Sequence, residues 1–172
     1  MSRLRSVHIA MGCYGALVCA TGVRADARAE IAASYRKNDA AVAAKDVKGT
    51  MACDTADYTI VDRQGNVRKV EWEGKTILYK SGPEFEEYTR RTYAQMESIH
   101  QQTAVQKITR KGGQAIVSVK QHTEVGARNP QTQKLVTFAF DITMEDTWLQ
   151  QGGIWKRKRS RVLAQPRPKI KK

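Results

Sequence analysis

Cysteine is scarce in this chain: Cys13, Cys19 and Cys53 are all it has. Two of them fall in an apolar leader, so a domain freed of that leader keeps Cys53 alone and can form no internal disulfide. Such a domain rests on its core, and 172 residues are enough for one ordinary core. No basic neighbour in "TMACDTADY" lowers the thiol pKa, which makes Cys53 a small buried hydrophobe before a nucleophile. Histidine is rare too, at three, and neither His100 nor His122 stands at metal-ligand spacing from Cys53. We therefore expect no metal and no cofactor. No phosphate loop, nucleotide fingerprint or serine elbow occurs. Long apolar runs are also missing. Val7 to Val23 is the longest candidate, and it is short and glycine-interrupted for a membrane span.

What that N-terminal stretch does offer is the layout of a secretory signal peptide. Arg3 and Arg5 precede it, and "RADAR" places Ala25 and Ala27 at the small positions of an A-x-A cleavage site. Residues 1–27 are accordingly read as a leader, with an uncleaved anchor as the alternative, and the protein is expected in the periplasm or outside the cell. Neither Cys13 nor Cys19 stands in a lipobox. Losing Arg3, Arg5, Arg24 and Asp26 lowers the formal charge from +13 to +11. Residues 154–172 hold nine of the remaining cations and no acid, so residues 28–153 carry only about +2. The basic character belongs to one strand and a tail.

Between leader and tail, "RAEIAASYRKNDAAVAAKD" has helical spacing, with Ile31, Tyr35, Asn38 and Val42 on one stripe. A short turn of helix follows at "VKGTMA". "DYTIVDRQGNVRKVEW" reads as a hairpin about Gln64-Gly65-Asn66. Ser81 and Glu84 stand at capping-box spacing around Pro83 and open a third helix, whose inner stripe is Phe85, Tyr88, Thr92 and Met96. Two strands then turn about Lys111-Gly112-Gly113. The long strand "KLVTFAFDITMEDTWL" carries Val136, Phe138, Phe140, Ile142, Met144 and Trp148 on one face, interrupted by Asp146. Gln150 to Gly153 returns it as "IWKRKRSRVL", whose cations suit a charged sheet edge. No aromatic residue follows Trp155 to stack bases, so a nucleic-acid partner is not expected. "PRPKIKK" (166–172) reads as a disordered basic tail. Helices segregated from a curved antiparallel sheet make an α+β domain over 28–165.

The phrases "YRKNDAAVAAKDVKGTM…DYTIVD", "IHQQTAVQKITRKGGQAIVSVKQHTEV" and "DTWLQQGGIWK", in that order, resemble the superfamily named after nuclear transport factor two. Within it, the SnoaL-like group of polyketide cyclases and ketosteroid isomerases is most similar. The resemblance implies a cystatin-like cone: three N-terminal helices on a strongly curved antiparallel sheet, a pocket inside, and often a homodimer through the outer sheet face. In "IWKRKRSRVL" the chain departs from the pattern, because Arg157, Arg159 and Arg161 share the parity of Trp155 where apolar residues are usual. An inward arginine would favour an anionic ligand.

Candidate site residues follow from strand parity. With Ile108 set opposite Ile116, Val105 faces Val119, Thr103 faces Gln121 and Gln101 faces Thr123, a side apolar near the turn and polar beyond it. That wall, with Phe138, Phe140, Met144, Trp148 and Arg157, is the expected ligand-binding set. Lys120, His100 and His122 then fall outside, unless a one-residue bulge reverses the faces. Asp146, alone on an apolar parity, is the candidate acid or base, with Tyr58, Asp57 and Tyr93 as donors or acids. Its other reading is structural, as a partner for backbone or for an arginine of the last strand. Two functions stay open: a small, partly apolar organic ligand held in the cone, with cofactor-free isomerase, cyclase or hydrolase chemistry; or a non-catalytic dimeric association module whose basic tail contacts anionic surfaces.

Overall fold

A computed structural model describes residues 26–171. The expected leader lies outside the described residues except for Asp26 and Ala27. Those two belong to the domain: Asp26 caps helix α1 (Ala27–Ala43) by accepting from Arg28 N at 3.0 Å, and Ala27 is buried in the core. The stripe Ile31, Tyr35, Asn38 and Val42 is buried as its spacing predicts. Asp46 caps the short α2 (Val47–Met51).

The strands are β1 (Asp54–Val61), β2 (Lys69–Trp72), β3 (Lys75–Leu78), β4 (Ser98–Lys111), β5 (Gln114–Arg128), β6 (Leu135–Gln151), β7 (Ile154–Ala164) and β8 (Lys169–Lys171); α3 (Pro83–Gln95) stands between β3 and β4. The main sheet runs β1-β7-β6-β5-β4, antiparallel except for the parallel β1–β7 pair, with β8 added to β6. The glycines of the β4–β5 and β6–β7 turns are needed for their backbone: Gly112, Gly152 and Gly153 have φ of 58°, 57° and 83°.

Several expectations are corrected. β7 is not an edge: it lies between β1 and β6, and its cations are met from both sides. The hairpin about Gly65 shrinks to a single Val61–Val67 bridge, and β2 pairs instead with β3 about Glu73-Gly74. Ser81 does not cap α3. Its hydroxyl donates to Thr55 O, and Gly82 precedes the helix without a side-chain cap. Nor do all three helices lie on the main sheet. α1 does so, whereas α3 packs on the small β2–β3 hairpin through Tyr79–Phe85 and Trp72–Tyr88 edge contacts at 5.3 and 5.8 Å. The tail is partly a strand, with Ile170 opposite Phe138.

Bulges explain the register errors. Ile108 pairs with Val117, not Ile116, because one extra residue between Val105 and Lys107 shifts the turn end. Beyond that bulge the expected pairs Val105–Val119, Thr103–Gln121 and Gln101–Thr123 hold. In β7 another extra residue, Lys158, lies between the pairs Trp148–Arg157 and Thr147–Arg159. Arg157 therefore points inward with Trp155, while Ser160 takes the next inward place and Arg159 and Arg161 face out. The core under α1 joins Ile31, Tyr35, Ala115, Val117, Val119, Met144, Trp148 and Trp155.

Candidate functional site

Where β6 and β7 run beneath α1, the inner face of the sheet turns polar. Asp146 is fully buried there, between Met144 and Trp148. A burial of this kind disfavours charge unless partners replace water. Tyr35 of α1 donates to Asp146 Oδ2 at 2.5 Å, and Trp148 Nε1 donates to the Tyr35 oxygen at 3.0 Å. The two rings meet edge-on with centroids 5.2 Å apart. Arg157 Nη1 is 3.8 Å from Asp146 Oδ2, and its Nε donates to Asp54 Oδ1 at 2.8 Å. Its guanidinium carbon lies 4.9 Å from the centre of the Tyr58 ring, and Tyr58 donates to Ser160 Oγ at 2.8 Å. One carboxylate oxygen, Asp146 Oδ1, is buried without a partner.

These neighbours set the acidities. Burial raises Asp146 above the ordinary carboxyl range, opposed by the Arg157 charge and by the neighbouring Tyr35 and Ser160 hydroxyls. Burial and the Asp146 charge push the Tyr35 hydroxyl far up, so it stays a donor. Cys53, at the edge of this cluster, is pushed up to about 11 by burial despite the nearby Arg157, which makes it a poor nucleophile.

Of the four candidate acids and donors, the structure brings Asp146 and Tyr58 together around Arg157. Asp57 is not among them. It alternates to the solvent side of β1, 69% exposed, and pairs with Lys158. Tyr93 is also elsewhere, buried on α3 with its hydroxyl 3.2 Å from Thr50 Oγ1. The ligand-binding candidates share one sheet face but divide into groups. Val105, Val119, Met144 and Trp148 belong to the packed core under α1 or flank it. Gln101 and Thr103 hydrogen-bond Asp39 of α1 at 2.8 Å each, with Gln121 donating to Thr103 at 3.3 Å. Phe138 and Phe140 are half-buried toward the other end of β6, and Arg157 is held between Asp54 and Asp146.

A concavity of about 520 Å³ opens on the opposite face of the sheet, lined by Gln102, Ala104, Lys120, His122, Asp141 and Thr143. His122 stands there between Asp141 at 2.8 Å and Glu124 at 3.0 Å, which raise its pKa. Sequence parity missed Tyr35, Asp54 and Ser160. Tyr35 was visible as a member of the α1 stripe, but its hydroxyl partner lies 111 positions away. Ser160 reaches the inner face only through the Lys158 bulge.

No family model matches the chain, and no curated protein is significantly similar to it in sequence. Solved structures are similar in shape. A type 2 hexachlorocyclohexane dehydrochlorinase (LinA) superposes with a TM-score of 0.59 at 10% identity, covering 84% of this chain and 88% of that one. A nuclear transport factor 2-like superfamily protein from Salmonella enterica serovar Typhimurium gives 0.56 at 11% identity, over 81% and 91%. A Nostoc punctiforme protein described as having a cystatin-like fold gives 0.54 at 11% identity, over 78% and 88%. At such identities the likeness carries the architecture alone, and the chain has the cystatin-like α+β fold that these structures share.

Proposed function

We propose that this is an exported ligand-binding cone domain in which the buried Asp146 cluster receives one polar group of a small, partly apolar organic molecule. The observation that carries the reading is Asp146 Oδ1, a fully buried acceptor with no partner. A hydroxyl or amide of a ligand would complete it. Arg157 adds a positive charge nearby, but Asp54 and Asp146 offset it, so a neutral polar group fits better than a second anion. The chemistry open to this arrangement is single proton transfer. Asp146 takes or returns a proton at Oδ1, and Tyr35, held by Trp148, keeps Oδ2 oriented. Isomerisation, cyclisation and hydrolysis each need such a group. The LinA likeness supports the cone as a scaffold that hosts chemistry in another protein.

Native mass spectrometry of the mature protein from its own host tests this. Wild type should carry a small-molecule adduct that Asp146→Asn, folded and of the same subunit count, lacks. An adduct retained by Asp146→Asn removes the assignment.

A second reading is favoured by the filled interior, where Tyr35 of α1 packs on Met144 and Trp148 of β6: a homodimeric association module without substrate, whose basic tail touches anionic surfaces. It predicts a dimer without adduct, and salt-sensitive binding to anionic vesicles that is lost when residues 166–172 are removed.

A further inference from the structure

β7 covers only half of β6. Its pairing ends where Ala164 meets Thr143, and among the described residues the preceding half of β6 is paired on that edge only by β8, at Thr137, Phe138 and Ala139. Pro166 and Pro168 lie in the gap, where they donate no ladder hydrogen bonds. β8 itself is a light contact: three residues, with Ile170 65% exposed. Beneath Ile170 lies a largely apolar concavity of about 270 Å³ bordered by Ala127, Val136 and Phe138, with Arg128, Asn129 and Pro130 at its margin, and Leu135 beyond it is 57% exposed. On the opposite face Lys171 pairs with Glu124, which Lys171 and His122 hold at about 2 and therefore charged. An edge with free backbone groups, an apolar hollow on one face and a fixed acid on the other accepts a particular kind of strand.

We propose that this half of β6 is a strand-docking groove for an extended segment of a partner protein, with Lys or Arg on either side of a branched aliphatic residue, and that β8 is its built-in, displaceable occupant. β8 shows which chemistry fits: Ile170 toward Phe138 and the hollow, and Lys171 toward Glu124. A longer strand reaches further. Continuing past the position of Lys171, it would pair with Val136 and Leu135 and cover the hollow that Ile170 leaves open. Its added main-chain bonds and buried apolar surface give it the advantage over β8.

The test uses the full chain, a fluorescein-labelled Lys-Ile-Lys-Val-Lys-Val peptide and an acidic control, Glu-Ile-Glu-Val-Glu-Val. Ile170→Asp should release β8 without disturbing the core, since that side chain is mostly in solvent. Hydrogen exchange at residues 137–139 then reads the release directly. The basic peptide should bind Ile170→Asp roughly tenfold more tightly than wild type, because the groove is no longer self-occupied. It should restore protection at 137–139, and it should lose its advantage over the acidic control in Ile170→Asp/Glu124→Gln. Equal binding of the two peptides to Ile170→Asp overturns the proposal, as does undiminished protection at 137–139 in that variant.

Discussion

Asp146 concentrates the electrostatics of the molecule in one carboxyl group. Because burial raises its pKa, the folded chain holds this proton more tightly than the unfolded chain does. Its contribution is therefore fullest below the unfolded carboxyl range, near pH ~4, and declines as pH climbs through the folded value. Asp146→Asn removes that decline. Denaturant titrations at about pH 4 and about pH 7 should show the variant's stability relative to wild type improving at the higher pH. Glu124 has the opposite sign. Lys171 and His122 lower it to about 2, so its share is present at neutrality and is lost as pH falls toward that value, a loss that Glu124→Gln should not show. Tyr35→Phe leaves Oδ2 and the Trp148 N–H without their buried partner and should cost about 1–3 kcal/mol in chemical denaturation.

At the scale of the element, caps and bulges decide what a strand or helix presents. Asp26 caps α1 from within the expected leader, so cleavage after Ala27 would remove a cap and a buried methyl together, whereas cleavage after Ala25 keeps both. In a chain beginning at Asp26, Asp26→Ala should lower stability by about 1 kcal/mol, read as a lowered melting temperature. Strand parity was legible wherever alternation ran unbroken. Met144, Asp146 and Trp148 share the inner face as their spacing implies, and the α1 stripe is buried in full. It failed at the extra residues between Val105 and Lys107 and at Lys158, because a bulge changes two-residue periodicity without a composition signal. The same cause hid Ser160 and made Arg159 and Arg161 look inward.

For the whole molecule, three of the five cations of β7 are answered by acids on its two neighbours. Asp54 and Asp57 lie on β1, and Glu145 and Asp146 on β6, reaching Arg157, Lys158 and Arg161 between them. Those pairs cancel charge locally along β7, so the strand is a weaker basic strip than its sequence implies. A fluorescent single-stranded oligonucleotide should show no retained binding at about 0.15 M salt by anisotropy. The α+β class was legible from the order of elements and the cone from the resemblance, but the helix-on-sheet layering only in part, since α3 has its own small hairpin to lie on.

The parallel β1–β7 pair joins the first strand to nearly the last, with Asp54 beside Arg157. An emerging chain can therefore complete neither the sheet nor the seat of α1 until almost everything has been made, and non-local closure of this sort is slow. Under the export proposed above, late closure would have a use: it would keep the chain loose while it is threaded.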